Sequence, residues 1–530
     1  MKRCPECRRD YYDDTLLYCL DDGNALLEGP ASASSGHEPK TAILPSPDFA
    51  MGVVSGEANT EMFRNSSAST INGSDSIAVL PFTNISADVE NEYFCDGLAE
   101  DLLNSLSKID GLKVAARTSA FSFKGKSVGI SEIGEKLAVR TVLEGSVRRS
   151  GDRLRITAQL INAADGYHLW SERYDRQMDD IFAIQDEITG AIVDSLKVKL
   201  LRLPHREPPN LDAYNEVLRG RHLLSKRGVE DLKKSLTYFE RALEFDPNCA
   251  PALAGMADSY NLLGAGDYAV LQPSEAFPKA KDAATRALEI DPSLATAHTA
   301  LGWATMNYDW DLAAAEQHYL RSISLNPNYA TAHHWYAMLL AIQGDSDRAI
   351  AEIRKARDLD PMSPIVNADV AWVYYYAGRF DDAIEQCHKI LEFEPDFSVA
   401  HWNLGQSLRE KGMFDEAIAA LERADELSGG NEVFRATLAH ALGRAGRRAE
   451  AEAILDEFLA LSSSQFVAPH AMVLVYLGLG DNEKALEWFE RTNEARSDYV
   501  VETLRNPVMD PIRSHPRVQE ILRTIKFAKL

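Results

Sequence analysis

Five similar phrases, LEFDPN, LEIDPS, LNPN, LDPM and LEFEPD, place prolines at 247, 292, 327, 361 and 395. The steps between them are 45, 35, 34 and 34 residues. A fixed period of this size means that each unit is one supersecondary element. Such a unit cannot bury its apolar face alone and must stack on its copies. Counting from Ala330 as position 1, Ala337 falls at 8, Ala349 at 20, Ala356 at 27 and Pro361 at 32. The next unit supplies Ala371, Ala383, Ile390 and Pro395, and the one after it Gly405, Ala417 and Ala424. Small residues at 8 and 20 let two antiparallel helices cross closely. Proline at 32 ends the second helix, because it lacks an N–H and its ring clashes with the preceding turn.

Two further units, from Glu432 and from Phe466, keep the small positions at Ala439, Ala451 and Ala485 without the proline. Upstream, one unit runs from about Leu211 to Pro247. Another runs from Ala250 to Pro292 and carries an eleven-residue insertion around GAGDYAVLQPSEAF, expected as a longer loop between its helices. The spacing thus predicts about eight units over 211–504. Residues 505–530 break the period with three prolines and offer one amphipathic helix, the capping element that such an array needs.

These positions are identified as tetratricopeptide repeats, which implies an α-solenoid with a concave groove. The family's groove-facing positions are 2, 5, 9 and 12 of the first helix of each pair. The resemblance therefore implies a protein- or peptide-binding set containing Trp303, His334, Met338, Trp372, Tyr375, Trp402, Gln406 and Arg409. The rings suit an extended peptide or an amphipathic helix, with Arg409 for a carboxylate. They suit equally well the space between neighbouring first helices, and both readings stay open.

Ahead of the array, SIAVLPF (76–82) reads as a buried strand ended by Pro81, and EYFCDGLAEDLLNSLSKI (92–109) has helical apolar spacing. GLKVAAR reads as a second strand and ISEIGEKLA as a short helix. TVLEGSVRRS, RLRITAQLIN and GYHLWSERYD alternate with period two, joined by turns at Ser150-Gly151-Asp152 and Ala164-Asp165-Gly166. A long amphipathic helix, DIFAIQDEITGAIVDSLKVKL, closes the run. The order β-α-β-α-β-β-β-α predicts a compact α/β domain with a mixed sheet over 76–202. These segments resemble the TolB-N-terminal-like domain of bacterial multidomain signalling proteins. That resemblance implies sensing, docking or dimerisation, with no catalytic residues to carry over. A homodimer is one expectation.

The chain begins with Cys4-x2-Cys7, then Cys19-x2-Asp22-Gly23. Two such knuckles can present four ligands to one tetrahedral ion. The stretch resembles a short bacterial zinc ribbon with Asp22 where the last cysteine stands, which implies a zinc-ribbon-like module over 1–28. A structural zinc on Cys4, Cys7, Cys19 and Asp22 is one reading. A ribbon that has lost its metal is the other, and Asp21 competes with Asp22. Residues 29–75, rich in Ser, Ala, Gly, Pro and Asn, read as a flexible linker. Cys95, Cys249 and Cys387 lie in apolar helical contexts and read as core residues.

A net charge of −24 argues against a general polyanion-binding surface. Arg148, Arg149, Arg153 and Arg155 form a local basic hairpin end. No apolar run is long enough to span a bilayer, and the N-terminus has no secretory h-region, so a cytoplasmic location is expected. No kinase or cyclase motif is visible. The expected function is a non-enzymatic interaction scaffold or signalling adaptor. The alternative is a transcription-linked regulator contacting nucleic acid or a partner through the ribbon, and a cyclase-associated regulator ranks below it.

Overall fold

The computed structural model describes residues 75–86, 91–196, 210–265, 270–462 and 467–527, together with the backbone of three two-residue strands near the N-terminus. Residues 1–70 form one compact unit and 71–530 another. In the first unit, β1 (Lys2–Arg3) pairs antiparallel with both β2 (Asp10–Tyr11) and β3 (Leu27–Glu28). Cys4, Cys7, Cys19 and Asp22 lie outside the described residues, as does the linker read over 29–75 except for its last residue.

The α/β domain runs β4 (Ser76–Val79), β5 (Thr83–Asn84), α1 (Glu92–Leu106), β6 (Lys113–Val114), α2 (Arg117–Phe121), α3 (Ile130–Leu137), β7 (Thr141–Ser150), β8 (Arg153–Asn162), β9 (His168–Gln177) and α4 (Ile181–Leu196). Its sheet is mixed, in the order β6-β4-β7-β8-β9, and β5 pairs with β7. β4 lies parallel to β6 and β7, whereas β7-β8-β9 is an antiparallel meander. The first meander turn is the two residues Gly151 and Asp152, with Gly151 at φ +60. This left-handed conformation is one that glycine adopts without a Cβ penalty. Helices α1 and α4 cover one face, where Ile77, Val79, Leu98, Leu102, Ile156, Leu160, Ile184 and Ile188 are buried together. The strand expected over GLKVAAR is shorter in the structure, because the chain turns into α2 at Arg117.

Among the described residues the array is a stack of eight helix pairs. They are α5 (Leu211–Leu224) with α6 (Val229–Phe245), α7 (Ala250–Gly264) with α8 (Pro273–Ile290), α9 (Ala295–Asn307) with α10 (Leu312–Leu325), and α11 (Ala330–Gln343) with α12 (Ser346–Leu359). There follow α13 (Pro364–Tyr376) with α14 (Phe380–Phe393), α15 (Ser398–Glu410) with α16 (Phe414–Ser428), α17 (Glu432–Arg444) with α18 (Arg448–Leu461), and α19 (Pro469–Leu479) with α20 (Asn482–Glu494). Crossing distance is set by the small residues. A Cβ on Gly405 would lie 2.5 Å from the Leu421 side chain. Asp311, Asp345 and Asp481 start second helices by accepting from the backbone N–H three residues on. The insertion is only partly a loop: PSEAF forms the front of α8, which runs 18 residues against 14 for α10 and α12.

The α/β domain is fastened to the array at two places. Asn328, in the turn after α10, donates from Nδ2 to the Ser107 and Leu112 carbonyls at 3.0 and 2.9 Å. Its Oδ1 accepts from Val114 N at 3.2 Å. Val114 lies on the edge strand β6, so Asn328 satisfies an outward N–H that would otherwise be lost on burial. One repeat further on, the Leu359 carbonyl accepts from Ala116 N at 2.7 Å, and Asp360 Oδ1 accepts from Ser119 N and Oγ at 2.9 and 2.6 Å. At the other place, Leu218 of α5 packs against Gly97 of α1, and Asp101 accepts from Tyr214 Oη at 2.6 Å and Arg221 at 3.2 Å.

Candidate functional site

The first helices of successive pairs meet through residues about one repeat apart. His334 Nε2 and Asp369 Oδ2 lie 2.6 Å apart. Trp402 Nε1 donates to Thr437 Oγ1 at 3.0 Å, and Arg409 donates to Tyr375 Oη at 3.0 Å. Rings add to these contacts, two of them between successive first helices and Trp372 on Tyr376 within one helix. Trp303 packs on Trp335, Trp372 stacks on Tyr376 and Trp402 stacks on Phe434, with centroids 4.5, 3.9 and 5.1 Å apart. Of the eight groove residues read from the sequence, Trp303 and Met338 are half-buried. His334, Trp372, Tyr375, Trp402, Gln406 and Arg409 are buried.

Neighbour packing alone does not account for that burial, because the chain's own C-terminal segment lies against Trp372, Tyr375, Trp402, Gln406 and Arg409. After α20 the chain forms α21 (Tyr499–Glu502), α22 (Asp510–Arg513) and α23 (Pro516–Leu522). Tyr376 Oη donates to Glu502 at 2.7 Å and Tyr375 Oη to Asn506 at 3.3 Å. Tyr499 stacks on His470 at 3.6 Å, and the Arg496 guanidinium sits 4.7 Å over Trp310. Near its end, Lys526 N donates to the Trp310 carbonyl and the Lys526 carbonyl accepts from Leu312 N, both at 2.9 Å. Gly344 faces the Arg505 side chain at a φ of +87, where a Cβ would be both strained and in collision. Val500, Val501, Val508, Ile512 and Val518 are buried in the same core as Trp372 and Trp402. The tail thus runs back from the eighth pair to the third. The void left between Trp372, Trp402, Arg409, Tyr499 and Asn506 is about 10 Å³, at the lower limit for one water.

The end cap expected over 505–530 is therefore only part of a longer element. The refolded segment begins near Arg496, ahead of the break in the period, and it covers the face expected to take a partner peptide. The sequence signal that points to it is the buried-type run YVV at 499–501, which has no place in the repeat pattern.

A second surface follows the turns. The residues two before each proline are Phe245, Ile290, Leu325, Leu359 and Phe393. Leu359 is buried and Leu325 half-buried at the turns that hold the α/β domain, whereas Phe245, Ile290 and Phe393 are exposed, Phe393 by 81%. The basic hairpin end is partly neutralised, since Arg155 Nε meets Asp175 at 2.6 Å. Cys95, Cys249 and Cys387 are buried thiols, and burial pushes Cys95 up to about 12. Among the described residues no group of three or more His, Cys, Asp or Glu side chains is arranged to hold a metal ion.

Comparison with known proteins gives matches over parts of the chain. Residues 73–191 match the family model described as HilA/YgeH-like transcriptional regulator, second domain. Residues 318–351, 370–432 and 408–462 match tetratricopeptide repeat models, so the array is built of tetratricopeptide repeats. A curated relative, "Putative adenylate cyclase 3" of Rhizobium meliloti (strain 1021), is 46% identical over 187 residues, covering 34% of this chain and 32% of the relative. The chain thus matches about a third of that relative's length. Among solved structures, a thermophilic tetratricopeptide protein of Thermus thermophilus has 23% identity and a TM-score of 0.32, covering 37% of this chain and 98% of its own. A tetratricopeptide repeat protein from Parabacteroides merdae ATCC 43184 has 15% identity and a TM-score of 0.35, covering 50% and 98%. No described helix is long and apolar enough to cross a membrane.

Burial pushes His470 down to about 3, and His318 down to about 4. Both sit below the ordinary imidazole value, so the unfolded chain binds more protons between those values and about 6.5. Their stabilisation is complete above about pH 6.5 and declines as pH falls, by about 1.4 kcal/mol per pH unit for a fully buried histidine within that window. We expect the thermal midpoint to fall on acidification from pH 7 to 5. His470→Phe, which keeps a ring against Tyr499, should flatten that fall. An unchanged slope in the variant would show that His470 is not held below its ordinary value by burial.

Proposed function

We propose that the chain is a non-enzymatic protein-interaction scaffold of a regulatory kind. The observation that carries this reading is that the inner face of the array already holds a protein segment, its own tail, through Tyr375, Tyr376, His470 and Trp310. The groove residues Trp303, His334, Met338, Trp372, Tyr375, Trp402, Gln406 and Arg409 are, in this proposal, recognition positions engaged by the chain itself. A second protein then meets the array on its exposed turn row, headed by Phe393. The α/β domain, rigidly held on the same row, serves docking or sensing, and the TolB-like label remains a proposal for it.

A transcription-linked role is the second reading, favoured by the match of residues 73–191 to a domain of transcriptional regulators. A salt-sensitive mobility shift of duplex DNA by the full chain separates it from the scaffold reading. A cytoplasmic location stays part of the proposal.

Two measurements test the proposal. Full-length protein immobilised in a homologous extract should retain a defined partner, and Phe393→Asp should reduce that retention at least fivefold while leaving the far-ultraviolet spectrum unchanged. Retention of nothing above a blank matrix sinks the scaffold reading, and retention insensitive to Phe393 sinks the assigned surface. For the N-terminal module we propose a structural zinc on Cys4, Cys7, Cys19 and Asp22. Metal analysis of the purified chain should find zinc, lost in Asp22→Ala and kept in Asp22→Cys. Full zinc content in Asp22→Ala would remove Asp22 from the ligand set.

A further inference from the structure

The sheet of the α/β domain has two edges with different fates. β6 is covered by the array, where Asn328 takes its outward N–H. β9 ends the other side, and among the described residues no strand pairs with its outer edge. It is ten residues long, and all of it but Trp170 and Tyr174 is exposed. On a strand paired along one side only, alternate residues point their N–H and C=O groups outward, a template for another strand.

Charged side chains on an edge often serve simply to repel such pairing. Here their order does the opposite for one particular partner. The stretch Glu172-Arg173-Tyr174-Asp175-Arg176 reverses its charges about its centre. Residues directly opposite in an antiparallel ladder share a face of the sheet, so two identical strands related by a two-fold axis through the sheet can be centred on any one residue. Centred on Tyr174, the register sets Arg173 opposite Asp175 and Glu172 opposite Arg176, each twice. Centred on Arg173 it sets Arg173 against itself, and centred on Asp175 or Glu172 it sets carboxylates against each other. Only the Tyr174 register pairs every charge with its opposite.

We propose that β9 is the seam of a homodimer, in which two copies pair Ser171–Gln177 antiparallel about Tyr174 and merge their sheets into one. The contacts these side chains make within one copy are compatible with it. Arg155 holds Asp175 from the inner neighbour strand at 2.6 Å, which leaves the second carboxylate oxygen, now 3.3 Å from Arg173 of the same strand, for Arg173 across the seam. Arg176 lies 3.7 Å from Glu187 of α4, a half-exposed pair that yields readily to a cross-strand one. Tyr174, buried against the domain core, sits on the axis with its hydroxyl on Glu172 at 2.7 Å. The proposal rests on reading the α/β domain as a docking module, and it does not depend on the turn row or on any other partner.

Sedimentation equilibrium of the full-length chain over a concentration series tests it. The wild-type chain should show a reversible monomer–dimer equilibrium. Glu172→Arg places two like-charge pairs in the seam and should weaken the dimer at least about tenfold, and Arg176→Glu should do the same. The double variant Glu172→Arg with Arg176→Glu restores both opposite pairs and should return to within about threefold of wild type. Circular dichroism and the thermal midpoint verify that each variant is folded, and either single variant suffices if the other is not. A monomer at all concentrations overturns the proposal. So does a dimer indifferent to the single reversals, or a folded double variant as weak as the singles. Partner retention by Glu172→Arg separates this outcome from the scaffold reading, which predicts that retention survives.

Discussion

The contact between the inner face of the array and the segment from Arg496 to Lys526 governs what this protein can present to others. Stacked helix pairs form an open surface, and an open apolar surface lined with Trp372, Tyr376 and Trp402 would be costly in water. The tail removes that cost with Val500, Val501, Val508, Ile512 and Val518, each fully or almost fully buried. At roughly 1.5–3 kcal/mol for each large apolar side chain buried, a competing peptide would have to replace most of this burial at once. The inner face is therefore better described as a structural core than as a vacant groove, and interaction surfaces have to be sought on the outside.

The outside is organised by the same device that punctuates the sequence. Each proline turn ends a second helix and carries an apolar residue two positions earlier. Where Asn328 and Asp360 follow those turns, they bind backbone groups of the α/β domain and the apolar residues are sheltered. Where no domain sits, Ile290 and Phe393 stand in solvent, while Phe245 lines a cleft shared with Tyr93 and Arg149 of the α/β domain. One row thus has an occupied stretch and free stretches on either side. Asp360 is held above the usual carboxylate range by burial and is compensated by three donors, Ser119 N and Oγ and the hydroxyl of Thr118.

Much of this was legible in the sequence where interactions are local or periodic. Period, small crossing residues and terminal prolines locate the helix pairs, and strict alternation with glycine turns locates the meander β7-β8-β9. What was not legible involves partners far apart in the chain. Tyr375 meets Asn506 across 131 residues and Val114 meets Asn328 across 214. Nothing in a four-residue helix such as Tyr499–Glu502 announces a destination. The aromatic positions were ambiguous for a physical reason: a ring on the first helix of a repeat suits a ligand groove and inter-repeat stacking alike. Trp372 and Trp402 stack on rings of their own or the next repeat while also lining the path of the tail.

The tetratricopeptide array is closed over its own tail and carries an α/β domain on its turn row, and among the described residues the rim near Phe393 and the outer edge of β9 stay exposed. Hydrogen–deuterium exchange of the full-length chain, read on peptides spanning 499–525, tests this closure most directly. The closed array predicts protection there comparable with that of Pro364–Tyr376 and Ser398–Glu410, lost together with theirs. Exchange of 499–525 at the rate of an unstructured segment, with those two helices still protected, would contradict it.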